Sequence, residues 1–245
     1  MKLDHAFPAI RDRNSLPREV LVVVAHPDDE VIGIGGLLAF HGRRGDVVHV
    51  VHATGGDAGD PQGLHTGGDI AQIRAREVTA ALAVLGVDAP HGLGFADGAL
   101  ARSYDDLVER LAALFVERRP ELLYTFFPGE YHVDHRVLAR ACCDARDHLP
   151  SDCVIRLFGV NQVVPFGVLY DYSDVVDEKD RALACFASQL AYIDFKTKAL
   201  CRDRAATVNV EDVRVTHAEL LAEVDTLSWP RYVERVEQLE EVSRG

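Results

Sequence analysis

Positive charge is the first thing this 245-residue sequence is short of: 26 Lys and Arg stand against 39 Asp and Glu, a formal net charge of -13. So acidic a surface repels a phosphate backbone, which argues against nucleic-acid binding as the main function; no nucleic-acid partner is expected. Docking on anionic lipid is disfavoured by the same sign. Long apolar runs are also missing. The longest candidate, Val20 to Phe40, is interrupted by His26, Asp28, Asp29 and Glu30, so no membrane span is expected. Met1 to Arg13 carries charges and a proline where a secretory leader needs its apolar stretch. Cysteine is scarce and unpatterned. Cys142, Cys143, Cys153, Cys185 and Cys201 form no C-x-x-C pair, which argues against a disulfide framework or a thiolate zinc knuckle. They read as small core residues of a reduced, cytoplasmic protein. Nothing in the composition excludes a homo-oligomer.

What is present is 48% hydrophobic and 27% charged residues, enough apolar mass for one substantial globular core. Val20 to Ala25 is apolar without alternation, the pattern of a strand buried on both faces. Gly33 to Arg44 has helical length and ends in Arg43, Arg44 and Gly45; Val47 to His52 is a second β-branched run. Strand, helix, strand in about 30 residues is a βαβ unit, so a mostly parallel sheet with helices on both faces is expected. The stretch 53–69 is rich in Gly and Asp and reads as a long loop. Ile70 to Leu85, Ser103 to Arg118 and the stretch after His132 read as helices, and Leu122 to Phe127 as a strand. Further on, Cys153 to Val160 and Val163 to Tyr170 read as strands. Asp177 to Leu190, Asp194 to Arg204 and Thr216 to Glu241 read as helices. No linker or repeat divides the chain, so 1–245 is read as one α/β domain. Its parts are an arm over 1–18, a sheet core over 19–150 and C-terminal elements over 151–245.

Two clusters carry chemistry. The first, His26-Pro27-Asp28-Asp29-Glu30, follows the first buried strand, and open α/β sheets bind ligands beyond the carboxyl ends of their strands. His26 and Asp29, at opposite ends of a turn, offer a ring nitrogen and a carboxylate oxygen to one ion, both normal zinc ligands. An acid-rich helix start would explain Asp28 to Glu30 without any chemistry, but not a histidine at the end of an apolar strand. The second cluster, Glu130-Tyr131-His132-Val133-Asp134-His135, follows Leu122 to Phe127. Residues three apart at a helix start share a face, so His132 and His135 both reach one pocket. Alone, such a pair is a solvated surface feature. Two histidine–acid clusters, each after a sheet strand, point to a metal hydrolase with three protein ligands and an open position.

These residues resemble the paired signature of the PIG-L (LmbE-like) family of zinc-dependent N-deacetylases. Thr54 to Gly59 is similar to the family's glycine-rich segment, Arg74-x-x-Glu77 to its next helix, and Gly94 to Gly98 to its short acidic turn. The resemblance runs from about Val20 to Ala145. It implies a Rossmann-like fold and one zinc per chain, held by His26, Asp29 and His135, with other divalent transition metals as substitutes. It implies Asp28 as general base. His132 would stabilise the oxyanion or assist the leaving amine, a role that calls for a protonated ring, and Asp134 would orient a histidine. Arg74 and Asp97 match positions that hold sugar hydroxyls. The implied substrate is an N-acetylglucosamine-type sugar conjugate, its aglycone unspecified. A zinc hydrolase of another amide or acyl bond, or a non-catalytic sugar- or nucleotide-binding module, is the alternative. A dinucleotide site at Gly33-x-Gly35-Gly36 lacks the full G-x-G-x-x-G spacing.

Overall fold

The computed structural model describes residues 8–65 and 69–244; residues 1–7 of the arm and 66–68 of the glycine-rich stretch lie outside them. Eight strands form one sheet in the order β1-β7-β8-β6-β5-β2-β3-β4. They are β1 (Ile10–Arg11), β2 (Glu19–Val24), β3 (Val47–Thr54), β4 (His91–Phe95), β5 (Leu122–Phe126), β6 (Val154–Phe158), β7 (Val168–Asp171) and β8 (Ala218–Val224). All pairs are parallel except those of β8, which runs antiparallel between β6 and β7. The helices are α1 (Asp29–Arg44), α2 (Ile70–Val84), α3 (Tyr104–Arg118), α4 (Val133–Asp144), α5 (Val176–Leu183), α6 (Ala187–Leu190), α7 (Phe195–Ala205) and α8 (Trp229–Arg244). Among the described residues, no helix is long and apolar enough to cross a membrane.

The chain winds outward from β2 through β3 to β4, then returns to place β5 on the other side of β2. Right-handed crossovers put the helices of the two windings on opposite faces. One group is α1, α2, α5 and α7, and the other is α3, α4 and α8. The expected mostly parallel α/β fold is therefore the observed one. Val20 to Val24 and all of β5 are buried, which explains why only Thr125 interrupts their apolar sequence. The reversal between β2 and β5 leaves a crevice at their carboxyl ends, the usual ligand site of such sheets.

The C-terminal part departs most from its sequence pattern: Val163 to Tyr170 becomes strand only from Val168, and Asp177 to Leu190 divides into α5 and α6. Thr216 to Glu241, read as a helix, is strand β8 followed by α8. Ala-Glu-Leu-Leu-Ala-Glu-Val favours helix locally, yet inserting it between β6 and β7 satisfies both strand edges and buries Ala218, Leu221 and Ala222. All five cysteines are free; Cys142, Cys143 and Cys153 are core residues, with burial pushing the Cys142 thiol up to about 12, whereas Cys185 is half-buried and Cys201 exposed, contrary to the core reading. The glycines of α1 serve packing. A Cβ at Gly36 would stand 2.3 Å from the buried ring of Tyr172. Gly36→Ala is expected to cost about 1–3 kcal/mol through overpacking, read as a fall of several degrees in Tm by calorimetry.

Candidate active site

Both motifs sit at the crevice. His26 follows β2, and Asp29 opens α1 with its Oδ2 accepting from His26 N at 2.8 Å. His135 lies in the first turn of α4, after β5, with its ring stacked on Phe126 at 4.1 Å. Two ring nitrogens and both oxygens of one carboxylate converge. His26 Nδ1 is 3.3 Å from His135 Nε2 and 3.3 Å from Asp29 Oδ2, while His135 Nε2 is 3.2 Å from Asp29 Oδ1. A tetrahedral zinc with N and O ligands at about 2.0–2.1 Å has ligand–ligand edges of about 3.3–3.4 Å. The separations between these residues are of that size. Two wider groupings, His26–His132–His135 and His26–Asp97–Asp134, have ligand atoms within 4.8 Å of one another. All three sets share His26.

Charge points the same way. Burial disfavours a charged His26, but the Asp134, Asp29 and Asp97 carboxylates outweigh it and hold its pKa well above the usual imidazole value. Burial likewise opposes protonation of His135, and Asp29 with Glu130 still raises it to about 9. Asp29, though buried, is held well below the ordinary carboxylate range by His135 and His26. The carboxylates thus draw positive charge into the crevice.

Asp28 stands beside these residues. Its backbone, at φ 147° and ψ -26°, is a conformation L-residues rarely adopt, and such strain costs about 1–3 kcal/mol where it persists. Burial pushes its carboxyl up to about 7, Arg74 pulling against that shift and the Asp29 charge adding to it. Glu30 supports it from behind: Oε2 lies 3.4 Å from Asp28 N and 3.2 Å from His52 Nε2, giving His52 an acidic partner that its sequence neighbours do not supply.

The two residues matched to sugar hydroxyls turn toward the site's own groups. Arg74 is buried and donates to Gly56 O (3.0 Å), Pro27 O (3.1 Å) and Asp28 Oδ2 (3.1 Å). Asp97 Oδ1 lies 3.0 Å from His26 Nε2, without the angle of a hydrogen bond, and its Oδ2 accepts from Ala58 N. Asp134 accepts from Gly98 N (2.7 Å) and Leu100 N (3.3 Å), and the histidine it approaches is His26, with Nε2 at 3.6 Å. His132 is exposed and caps α4, its Nδ1 accepting from Asp134 N at 3.2 Å. That contact places the proton of a neutral ring on Nε2. Burial and the neighbouring His26 and His135 also lower its pKa. With Nδ1 engaged as an acceptor, the donor available at His132 is Nε2–H.

Glu130, quoted in the motif but given no role from sequence, is the main addition. Fully buried, its Oε2 lies 3.0 Å from His135 Nδ1, and its carboxylate accepts from the amides of Val160 (2.8 Å), Asn161 (3.1 Å) and Gln162 (3.1 Å). A carboxylate on the far nitrogen of a metal-binding histidine fixes its tautomer and orientation. The signal was an acid five residues before His135.

Residues 21–146, just over half of the chain, match the PIG-L family, described as GlcNAc-PI de-N-acetylase. A Mycobacterium sp. (strain KMS) 1D-myo-inositol 2-acetamido-2-deoxy-alpha-D-glucopyranoside deacetylase is 39% identical over 145 residues, 49% of this chain and 47% of that protein. The chain thus spans about half the length of that curated relative. A probable N-acetyl-alpha-D-glucosaminyl L-malate deacetylase 2 from Bacillus cereus is 28% identical over 87% of this chain and 100% of its own length. Among solved structures, the N,N'-diacetylchitobiose deacetylase of Pyrococcus horikoshii superposes with a TM-score of 0.74 at 21% identity, over 86% of this chain and 85% of that one. GalB of Pseudomonas putida, a 4-carboxy-2-hydroxymuconate hydratase, does so with a TM-score of 0.70 at 26% identity, over 84% and 95%.

Proposed function

The chain belongs to the PIG-L family, and from that premise we propose that it is a zinc-dependent N-deacetylase hydrolysing the acetamide of an N-acetylglucosamine-type sugar conjugate. The observation that carries this reading is the convergence of His26 Nδ1 and His135 Nε2, 3.3 Å apart, on the two oxygens of the Asp29 carboxylate at 3.3 and 3.2 Å, beside Asp28. Those three residues would hold the ion. Zinc bound there lowers the pKa of water toward about 7 and polarises the amide carbonyl. Asp28, one oxygen fixed by Arg74, takes the proton of the attacking water and returns it to the departing amine. His132 donates its Nε2 proton to the carbonyl oxygen as that oxygen gains charge. Glu130 keeps the His135 ring in place by a hydrogen bond, and the Asp97 and Asp134 carboxylates face Nε2 of His26.

A second reading follows from the 26% identity to the hydratase: the same site delivers water to a different electrophile. Acetate release separates the two. Assayed on free N-acetylglucosamine and on its inositol-, malate- and lipid-linked conjugates, the zinc-loaded protein is expected to release acetate and free amine in equal amounts from at least one. Zinc-loaded protein that yields neither product across the panel would exclude the deacetylase reading in favour of the second.

A further inference from the structure

Arg202, on α7 and outside both motifs, has its whole guanidinium engaged. Nε and Nη2 each lie 3.0 Å from Asp203 Oδ1. Nη1 donates to the carbonyls of Gly159 (3.0 Å) and Val160 (3.1 Å), and Nη2 to that of Ile32 (2.9 Å). It borders a cavity of about 340 Å³ with Gly33, Gly159 and Gln162, but no N–H is left over for a ligand there. Its partners explain its place.

The loop 159–162 turns its amides toward Glu130 and the carbonyls of Gly159 and Val160 toward Arg202. The loop's peptide dipoles therefore lie between a carboxylate and a guanidinium, each at the end it stabilises. The loop has no slack, since a Cβ on Gly159 would stand 1.9 Å from Gln162 O. The third carbonyl, Ile32 O, belongs to the first turns of α1, the part that begins at Asp29. That helix is interrupted at Ile34, whose φ of -136° and ψ of 25° are not helical. Gly36 N, which in a continuous helix would close on Ile32 O, donates to Glu219 Oε1 (2.7 Å), and Leu37 N to Glu219 Oε2 (2.9 Å). Buried Lys179 bridges Glu219 and Asp203 at 2.7 Å each. Arg202 and Glu219 thus take up the two sides of the break in α1, and Lys179 with Asp203 joins them.

We propose that Arg202 is a positioning residue for the metal centre: one guanidinium ties the turn that carries Asp29 to the loop that grips Glu130 and, through it, His135. The proposal rests on the assignment of His26, Asp29 and His135 as ligands. Outer partners of metal-bound histidines typically contribute about 10–100-fold in metal affinity, and Arg202 is expected to contribute on that scale without touching ligand or substrate.

The test is zinc affinity by chelator competition, with the visible spectrum of the cobalt-substituted protein as a second readout. Arg202→Ala, Arg202→Lys, Glu130→Gln and the Glu130→Gln/Arg202→Ala double variant are compared with His135→Ala. His135→Ala is expected to lose the site; if it binds zinc as wild type does, the ligand assignment itself fails. Granted that control, Arg202→Ala is expected to fall about 10–100-fold in affinity with an altered cobalt spectrum. The double variant should lose clearly less than the product of the two single losses, because both act through one loop. Millimolar guanidinium, entering the adjacent cavity, should restore part of the affinity of Arg202→Ala. If Arg202→Ala does not fold, Arg202→Lys decides, since lysine keeps the charge but lacks the planar fork. A folded Arg202 variant with zinc affinity within twofold of wild type and an unchanged cobalt spectrum would overturn the proposal.

Discussion

Exchanging Asp28 for asparagine is expected to lower turnover by about 10²–10⁴-fold, the usual contribution of a positioned base, while zinc content stays at the wild-type level. The amide is close to isosteric, and its oxygen can still accept from Arg74 Nη2, which lies 3.1 Å from Asp28 Oδ2. What it cannot do is take a proton. The wild-type carboxyl is suited to that task, since burial brings it to about 7, close to the pH at which a base most effectively accepts and then returns a proton. The check is kcat beside metal analysis on the same preparation. Turnover within a few-fold of wild type would remove Asp28 from the chemistry. Loss of zinc together with activity would make it a ligand instead.

His132→Ala is expected to keep full zinc and lose about 10²–10³-fold in turnover, the range for deleting one oxyanion donor. The loss should fall on kcat, with KM little changed, because the lost hydrogen bond strengthens only as the carbonyl becomes tetrahedral. His132 Nδ1 already accepts from Asp134 N, so the donor of the ring is Nε2–H. His132→Gln, which retains an N–H donor, should accordingly recover part of the loss. The opposite result is easily recognised: His132→Ala purifies without zinc while His135→Ala retains it, and the two histidines exchange roles.

The sheet core was legible because Val20 to Val24 and Leu122 to Phe126 are buried on both faces, and nothing but a central strand uses so nearly continuous an apolar run. His26 stood out because it ends such a run next to acids, whereas spacing left His132 and His135 equivalent and only the family resemblance told them apart. Elsewhere local composition and global fold disagree. Ala218 to Val224 has helix-forming residues, and only its neighbours β6 and β7 make it a strand. The inward turn of Arg74 onto Asp28 depends on the close approach of Gly56, where a Cβ would stand 2.3 Å from the guanidinium. Pattern along the chain does not carry that contact. Glu130 was hidden for a related reason: its meaning comes from three amides about 30 residues downstream. The same holds for Arg202, whose partners lie on α1 and after β6.

The central claim is that His26, Asp29 and His135 hold the ion on which acetamide hydrolysis depends. It is tested most directly by titrating zinc into chelator-stripped protein while measuring acetate released from an N-acetylglucosaminyl conjugate cleaved by the zinc-loaded enzyme. The account predicts no release from stripped protein, activity rising to a plateau at one zinc per chain, and no such rise in His26→Ala, Asp29→Ala or His135→Ala. Undiminished acetate release from the stripped protein, or a wild-type titration curve in all three variants, would contradict it.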